Sequence, residues 1–261
     1  MSEEYKIYVL EKPFSFHASR EYKKFLGYLL SLRMDGYSAV HGQDVVPIDQ
    51  YDYFATNILL YKEVKNEIIP LACSRIIRYS DCLLNNIEFF PLKLLKDKKN
   101  KKTRKYIEEL LNERAKKGLD VTFDSSFTIS PELNNSMESQ KVVKHIMGAV
   151  FNWHKEYNEN CFLASATIKV KTGRLFSKLG LSCVCVKTDR LFSKLGLSCV
   201  CDDSEYKLQS VNNEPAVMMK FNNSHTNRTN KWMKSSEFIW DNRNMVTSPK
   251  LQIKDYSEKV H

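Results

Sequence analysis

Long apolar runs are missing from this chain. No stretch of about 18 consecutive apolar residues occurs, so no membrane span is expected. The first residues, MSEEYKIYVLEK, carry acids where a signal peptide would carry an apolar segment. Cysteine is sparse: seven residues, an odd number, do not make a disulfide scaffold, and reduced thiols in a cytoplasm are the simplest reading. No cysteine stands in a nucleophile motif, so covalent catalysis has no support. His17, His41, His145, His154, His225 and His261 show no metal-ligand spacing, and no metal is expected. His154, beside Trp153, reads as a packed or surface residue. Neither a GxGxxG fingerprint nor a Walker A loop is present, which removes the common dinucleotide and P-loop classes.

What is present suits a folded enzyme. The chain has 261 residues, 43% of them hydrophobic, enough for one large domain with extensions or for two small ones. The formal net charge of +9 points to an acidic partner or to a merely solvated basic surface. Nucleic acid is the weaker candidate. The basic run Lys96 to Lys105 has no aromatic before Tyr106, whereas single-strand binding needs stacking rings among its cations. That run reads as a loop or a protein-docking segment.

Hydrophobic periodicity gives alternating strands and helices. Tyr5 to Leu10 reads as a strand, and Ser19 to Arg33 as a helix with Tyr22, Phe25, Leu26, Leu29 and Leu30 on one face. Tyr53 to Val64 and Ile68 to Tyr79 flank Asn66-Glu67 as a hairpin. A helix from Thr103 to Lys117 stops at Gly118. Val121, Phe123, Ser125, Phe127 and Ile129 alternate as a strand does. Ser136 to Glu156 follows as a long helix with a Val142–Phe151 apolar stripe, then a strand from Phe162 to Val170 and a short helix from Arg174 to Leu179. Such an order predicts a three-layer α/β/α domain, a central mixed sheet with helices on both faces. The domain is expected to span residues 1–221. Residues 222–261, polar with Trp232 and Trp240, are expected as an extension that docks through those aromatics or stays disordered.

One stretch holds more polar groups than a core needs. Arg33 lies four residues, one helical turn, before Tyr37. Asp49 and Asp52 bracket Gln50-Tyr51 just ahead of an apolar run, and Arg75 sits among Leu71, Ala72, Cys73, Ile76 and Ile77. Read from the residues alone, these four charges are either a structural ion-pair network or the makings of a site.

In this order, Arg33, Tyr37, Asp49, Asp52 and Arg75 resemble the opening pattern of the acyl-homoserine-lactone (autoinducer) synthases and their relatives, the long-chain N-acyl amino acid synthases. Both belong to the GNAT acyltransferase superfamily. The likeness covers about residues 20–200 and is best over residues 32–81. It implies a GNAT-like fold and transfer of a fatty acyl group from an acyl carrier protein thioester to an amine. It also implies Arg33, Asp49, Asp52 and Arg75 as catalytic residues, with Tyr37, Tyr51, Ser126 and Phe127 toward the substrates. No cofactor stays bound in such a reaction, and the partners are an acyl carrier protein and a small amine or amino acid.

Two departures qualify that likeness. The coenzyme A loop common in the superfamily, Gln/Arg-x-x-Gly-x-Gly/Ala, is missing; PELNNSMESQ precedes the long helix instead. This favours a carrier-protein donor over coenzyme A. Lactone synthases also carry a Glu-x-Ser-Arg-Phe strand, where this chain reads FDSSF, with Phe123 in place of the acid and Ser126 in place of the arginine. Asp124 is adjacent but faces the other side of an undisturbed strand, unless a bulge intervenes. An amino-acid acceptor is therefore expected rather than S-adenosylmethionine. The alternatives are an acyl-CoA-dependent GNAT N-acetyltransferase and a catalytically inactive basic binding module.

Residues 170–185, VKTGRLFSKLGLSCVC, recur as 186–201 with Gly173 against Asp189 as the one difference. Two copies of a 16-residue unit are too few for a solenoid. A recent duplication is the plain account, an added sheet-edge unit the other. The copies create the pairs Cys183/Cys185 and Cys199/Cys201, which read as strand cysteines rather than as a zinc site.

Overall fold

The computed structural model describes residues 4–11, 20–42, 45, 48–97, 100–133, 136–157, 161–167, 181–183, 205–208, 214–221 and 226–246. Its strands are β1 (Tyr5–Leu10), β2 (Thr56–Val64), β3 (Glu67–Arg78), β4 (Thr122–Ile129), β5 (Phe162–Thr167), β6 (Leu181–Cys183), β7 (Glu205–Leu208), β8 (Glu214–Phe221) and β9 (Asn244–Val246). Its helices are α1 (Arg20–His41), α2 (Tyr79–Leu84), α3 (Phe90–Leu94), α4 (Lys101–Lys116), α5 (Met137–Glu156) and α6 (Asn227–Asp241).

All nine strands join one mixed sheet in the order β6-β8-β5-β4-β3-β2-β1-β9, with β7 also on β8. Strands β1 to β4 are successively antiparallel. The β2–β3 hairpin turns at Lys65 and Asn66, both with positive φ, which matches the twist of a tight hairpin. β4 and β5 are parallel, as a crossover through α5 demands. Ser136 caps α5 by accepting a hydrogen bond from the Ser139 amide at 3.0 Å. Gly118 ends α4 in the left-handed region, as its sequence position predicts.

Side-chain alternation divides the core. Ile58, Leu60, Ala72 and Ile76 face α5 and pack with Val142, Ile146, Val150 and Phe151. On the other face, Leu59, Tyr61 and Cys73 meet Tyr22, Phe25 and Leu29 of α1. Farther along that same face, Ile77, Phe123 and Leu163 meet Phe89, Ile107 and Leu111 of the α2–α4 layer. The three-layer α/β/α expectation holds.

Several boundaries differ from the sequence expectation, each for a tertiary reason. α1 runs to His41 rather than stopping at Arg33. Gly36 makes this continuation fit: a Cβ there would lie 2.3 Å from Thr128 Cγ2, so a bare backbone is needed where α1 crosses β4. β2 begins at Thr56 because residues Gln50–Tyr53 form a 3₁₀ turn. β4 does not alternate throughout, since Ser126 takes φ 52° and shifts the β3–β4 register by one. The last five residues of the basic run form the start of α4, where Arg104 donates to the Leu92 carbonyl at 2.7 Å.

The segment expected as an extension past residue 221 contributes to the same sheet and core. α6 packs on α5, Trp240 is buried, and β9 pairs in parallel with β1. Trp240 Nε1 donates to Glu156 at 2.9 Å. The expected helix Arg174–Leu179, most of the duplicated segment, the second CxC pair, and His17, His225 and His261 lie outside the described residues.

Candidate active site

Between the two apolar clusters on the α1 face lies a polar island. The 3₁₀ turn Gln50–Tyr53 sets one side of it. Asp49 accepts from the Tyr51 amide at 2.9 Å, and Asp52 accepts from the Asp49 amide at 2.9 Å, a reciprocal capping box. This local geometry aims both carboxylates at the sheet. Arg75 rises from β3 beneath them and grips Asp49 with two nitrogens, at 2.7 and 3.1 Å. Its Nη1 also lies 2.9 Å from Asp52, and its Nε donates to Ser125 Oγ at 3.1 Å. From above, Arg33 of α1 donates to Asp52 and, at 2.5 Å, to Asn57 Oδ1 of β2. Every fork position of Arg75 thus has a partner, the geometry for which a guanidinium rather than an ammonium is suited.

Two positive and two negative groups make the island neutral. Arg33 and Arg75 are fully buried, Asp52 nearly so, and Asp49 keeps 31% of its side chain exposed. Burial alone would raise the Asp52 pKa, but Arg33, Arg75 and the Asp49 amide outweigh it and hold the carboxyl below its usual value. Burial works against the Arg75 charge too, and Asp52 and Asp49 overcome it to raise that pKa. Asp52 is therefore a committed anion that fixes two cations. Asp49 is the member of the set that meets solvent.

β4 borders the island. Its residues Thr122, Phe123 and Asp124 pair with Phe162, Leu163 and Ala164 of β5; beyond Asp124 the two strands share no further register. The bulge at Ser126 comes two residues after this parting. Upstream of it, Phe123 and Ser125 face the α1 side; downstream, Phe127 and Ile129 pack toward α5, and Thr128 meets Gly36 of α1. A strand that bends and parts from its neighbour presents backbone amides at the gap, the groups that can stabilise a developing oxyanion.

The sequence-nominated residues divide accordingly. Arg33, Asp49, Asp52 and Arg75 come together. Tyr37 and Ser126 join them: burial raises the Tyr37 hydroxyl's pKa, opposed by Arg33, Arg75 and a hydrogen bond with the Ser126 side chain. Tyr51, expected toward the substrates, is buried with its ring 6.0 Å from the Arg75 guanidinium, and Phe127, also expected there, is partly buried against the α5-side core. Tyr51 is fully buried, its hydroxyl donates to the Glu88 carbonyl at 2.6 Å, and its ring packs edge-on to Phe90. Phe127 follows the bulge and so faces α5.

Asn57 and Ser125 were not nominated, though Asn57 is the lone amide in an apolar strand. A second unforeseen feature is the pair Asp124–His154. His154 Nε2 lies 3.0 and 3.1 Å from the two Asp124 oxygens, on the α5 face. Among the described residues, no group of His, Cys, Asp and Glu has the arrangement to hold a metal ion.

No protein-family model matches the sequence, and no curated protein matches it either. Solved structures do. An N-acyl amino acid synthase from uncultured soil microbes, FeeM, aligns with TM-score 0.51 and 13% identity over 91% of this chain and 99% of its own. The acyl-homoserine-lactone synthase LasI aligns with TM-score 0.52 and 14% identity over 95% of this chain and 100% of its own. At such identities the likeness is one of backbone architecture: the chain shares the α/β fold of these two synthases.

Proposed function

We propose that the chain is an N-acyltransferase that moves a fatty acyl group from an acyl carrier protein thioester to an amine, an amino acid being the favoured acceptor. The observation that carries this reading is the bulge at Ser126, set where β4 leaves β5 and bordered by the Arg33–Asp52–Arg75–Asp49 island. The amine nitrogen attacks the thioester carbon, a C–N bond forms, the C–S bond breaks, and the amine's proton ends on solvent or on the released thiol. Backbone amides of the bulged strand meet the carbonyl oxygen as it gains charge. Asp49, the solvent-facing carboxylate, binds the amine and takes its proton directly or through water. Asp52, Arg33 and Arg75 hold Asp49 in place.

The carrier-protein donor rests on the missing coenzyme A loop and on the net charge of +9 against an acidic carrier. An amino-acid acceptor rests on Phe123 and Ser126 standing where lactone synthases carry Glu and Arg. The fold shared with FeeM and LasI supports acyl transfer in general.

The test is thiol release from long-chain acyl carrier protein and from acyl-CoA, with and without amino acids, with product masses read by mass spectrometry. Amine-dependent release with an N-acyl mass supports the reading, and Asp52→Asn and Arg75→Ala then abolish it. Release from acyl-CoA alone moves the assignment to a coenzyme A-dependent acetyltransferase type. No release from either donor by well-folded protein leaves the binding module.

A further inference from the structure

The Asp124–His154 pair lies outside the four-charge island and on the opposite face of the sheet. Asp124 is the last β4 residue that pairs with both neighbours, opposite Ile76 of β3 and Ala164 of β5. Two residues later the backbone enters the left-handed conformation at Ser126. His154 comes from the last turns of α5, and its ring stacks on Phe162 with centroids 4.2 Å apart and planes 9° apart. Phe162 is itself in register with Thr122, so β4, β5 and α5 meet at this point. The side chains are 10% and 4% exposed, which makes an unpartnered carboxylate here costly.

Both Asp124 oxygens face one imidazole nitrogen, Nε2. An ionised carboxylate only accepts, so Nε2 carries the proton. His154 Nδ1 is buried and has no hydrogen-bond partner among the described residues. Ring orientation therefore rests on Asp124, on the Phe162 stack and on an edge contact with Trp153 at 5.1 Å between centroids. Reciprocally, both carboxylate oxygens of Asp124 face His154.

We propose that Asp124 and His154 are a positioning pair for the bulged part of β4. The imidazole holds the carboxylate against α5 at the residue where β4 parts from β5. That fixes the direction in which Ser126 and Phe127 turn away from β5, and hence where their amides point. The catalytic consequence rests on the acyltransfer reading above; the positional claim stands without it. A charge-assisted hydrogen bond suits the task because it is short and directional, whereas an apolar contact at the same place would let the strand slide.

The test uses the full chain with His154→Phe, which keeps the ring stack and loses the hydrogen bond, and His154→Gln, whose amide can donate to Asp124. Amide hydrogen exchange is read across β3, β4 and β5. Loss of one charged hydrogen bond at this junction should speed exchange of residues 125–128 by about tenfold or more in His154→Phe, with β5 and the hairpin end of β3 unchanged. His154→Gln should restore slow exchange. If the full chain turns over acyl donor, kcat should fall by about 100-fold in His154→Phe with KM little altered, since misplaced amides are felt in the transition state. Unchanged exchange at residues 125–128, or faster exchange spread evenly over the sheet, overturns the proposal. Local loosening in a chain that shows no acyl transfer upholds the pair and removes the acyltransfer reading.

Discussion

Asp52 is where single-residue chemistry matters most. Its carboxylate touches Arg33 and Arg75 at once and caps the Asp49 amide. Asp52→Asn leaves two buried guanidiniums with one carboxylate between them, and breaking such a buried pairing costs roughly 3–5 kcal/mol. The denaturation midpoint should fall accordingly. Because Arg33 and Arg75 hold the folded carboxyl below the ordinary value of 3.8, its stabilisation is present above about pH 4 and is lost as pH falls through the lower, folded value. Acid unfolding of the wild-type chain should therefore be steeper below about pH 4 than that of Asp52→Asn; equal slopes would show that Asp52 is not held as an anion. Ser126 gives a second test at this scale. At φ 52° a β-branched side chain is strained, so Ser126→Val should cost about 1–3 kcal/mol, while Ser126→Gly should stay within about 1 kcal/mol of wild type. Urea titration reads both.

At the scale of elements, two glycines in helices make opposite predictions. A Cβ on Gly148 of α5 would lie 2.2 Å from Ser236 Oγ and 2.4 Å from the Trp232 carbonyl of α6. The carbonyl is backbone and cannot swing away, so Gly148→Ala pushes the helices apart at a cost of about 1–3 kcal/mol. Gly27 on the exposed side of α1 has nothing within 4 Å, and Gly27→Ala should stabilise by up to about 1 kcal/mol through helix propensity. Calorimetric midpoints moving down for the first and up for the second would verify the α5–α6 crossing. Composition alone separates neither glycine from the other. The contrast between them comes from what stands opposite each one, which is a property of packing.

The whole molecule depends on its last described elements. α5 is buried on both sides, by the sheet and by α6, with Met147, Val150 and Trp153 inaccessible. Arg243 and Trp240 tie α6 to Glu156, and β9 closes the β1 edge. A chain ending at residue 221 would expose this layer, so it should lose its cooperative thermal transition and bind hydrophobic dyes. A truncated chain that melts cooperatively would show that α6 is dispensable. The duplicated segment makes a prediction of the other sign. β6 and β7 run in the same direction along one edge of β8, Cys183 opposite Met219 and Glu205 opposite Val217. Deleting residues 186–201 leaves one full copy of the repeat, and residues 184–185 and 202–204 to span that short gap. The shortened chain should melt as the full one does.

Local signals fixed much of this in advance. The hairpin about Asn66, the stop at Gly118 and the stripe on α5 all act within a few residues, where backbone geometry and capping decide the outcome. Arg33, Asp49, Asp52 and Arg75 were legible as a group because charges of that number amid apolar strands need partners. Sequence could not pack Tyr51 against Phe90, reverse the alternation of β4 after Ser126, extend α1 past Gly36, or bring His154 to Asp124. Each of those turns on a contact between segments far apart in the chain. The energy of such a contact exists only once the layers have packed, and a one-residue slip in register exchanges the faces of everything that follows it.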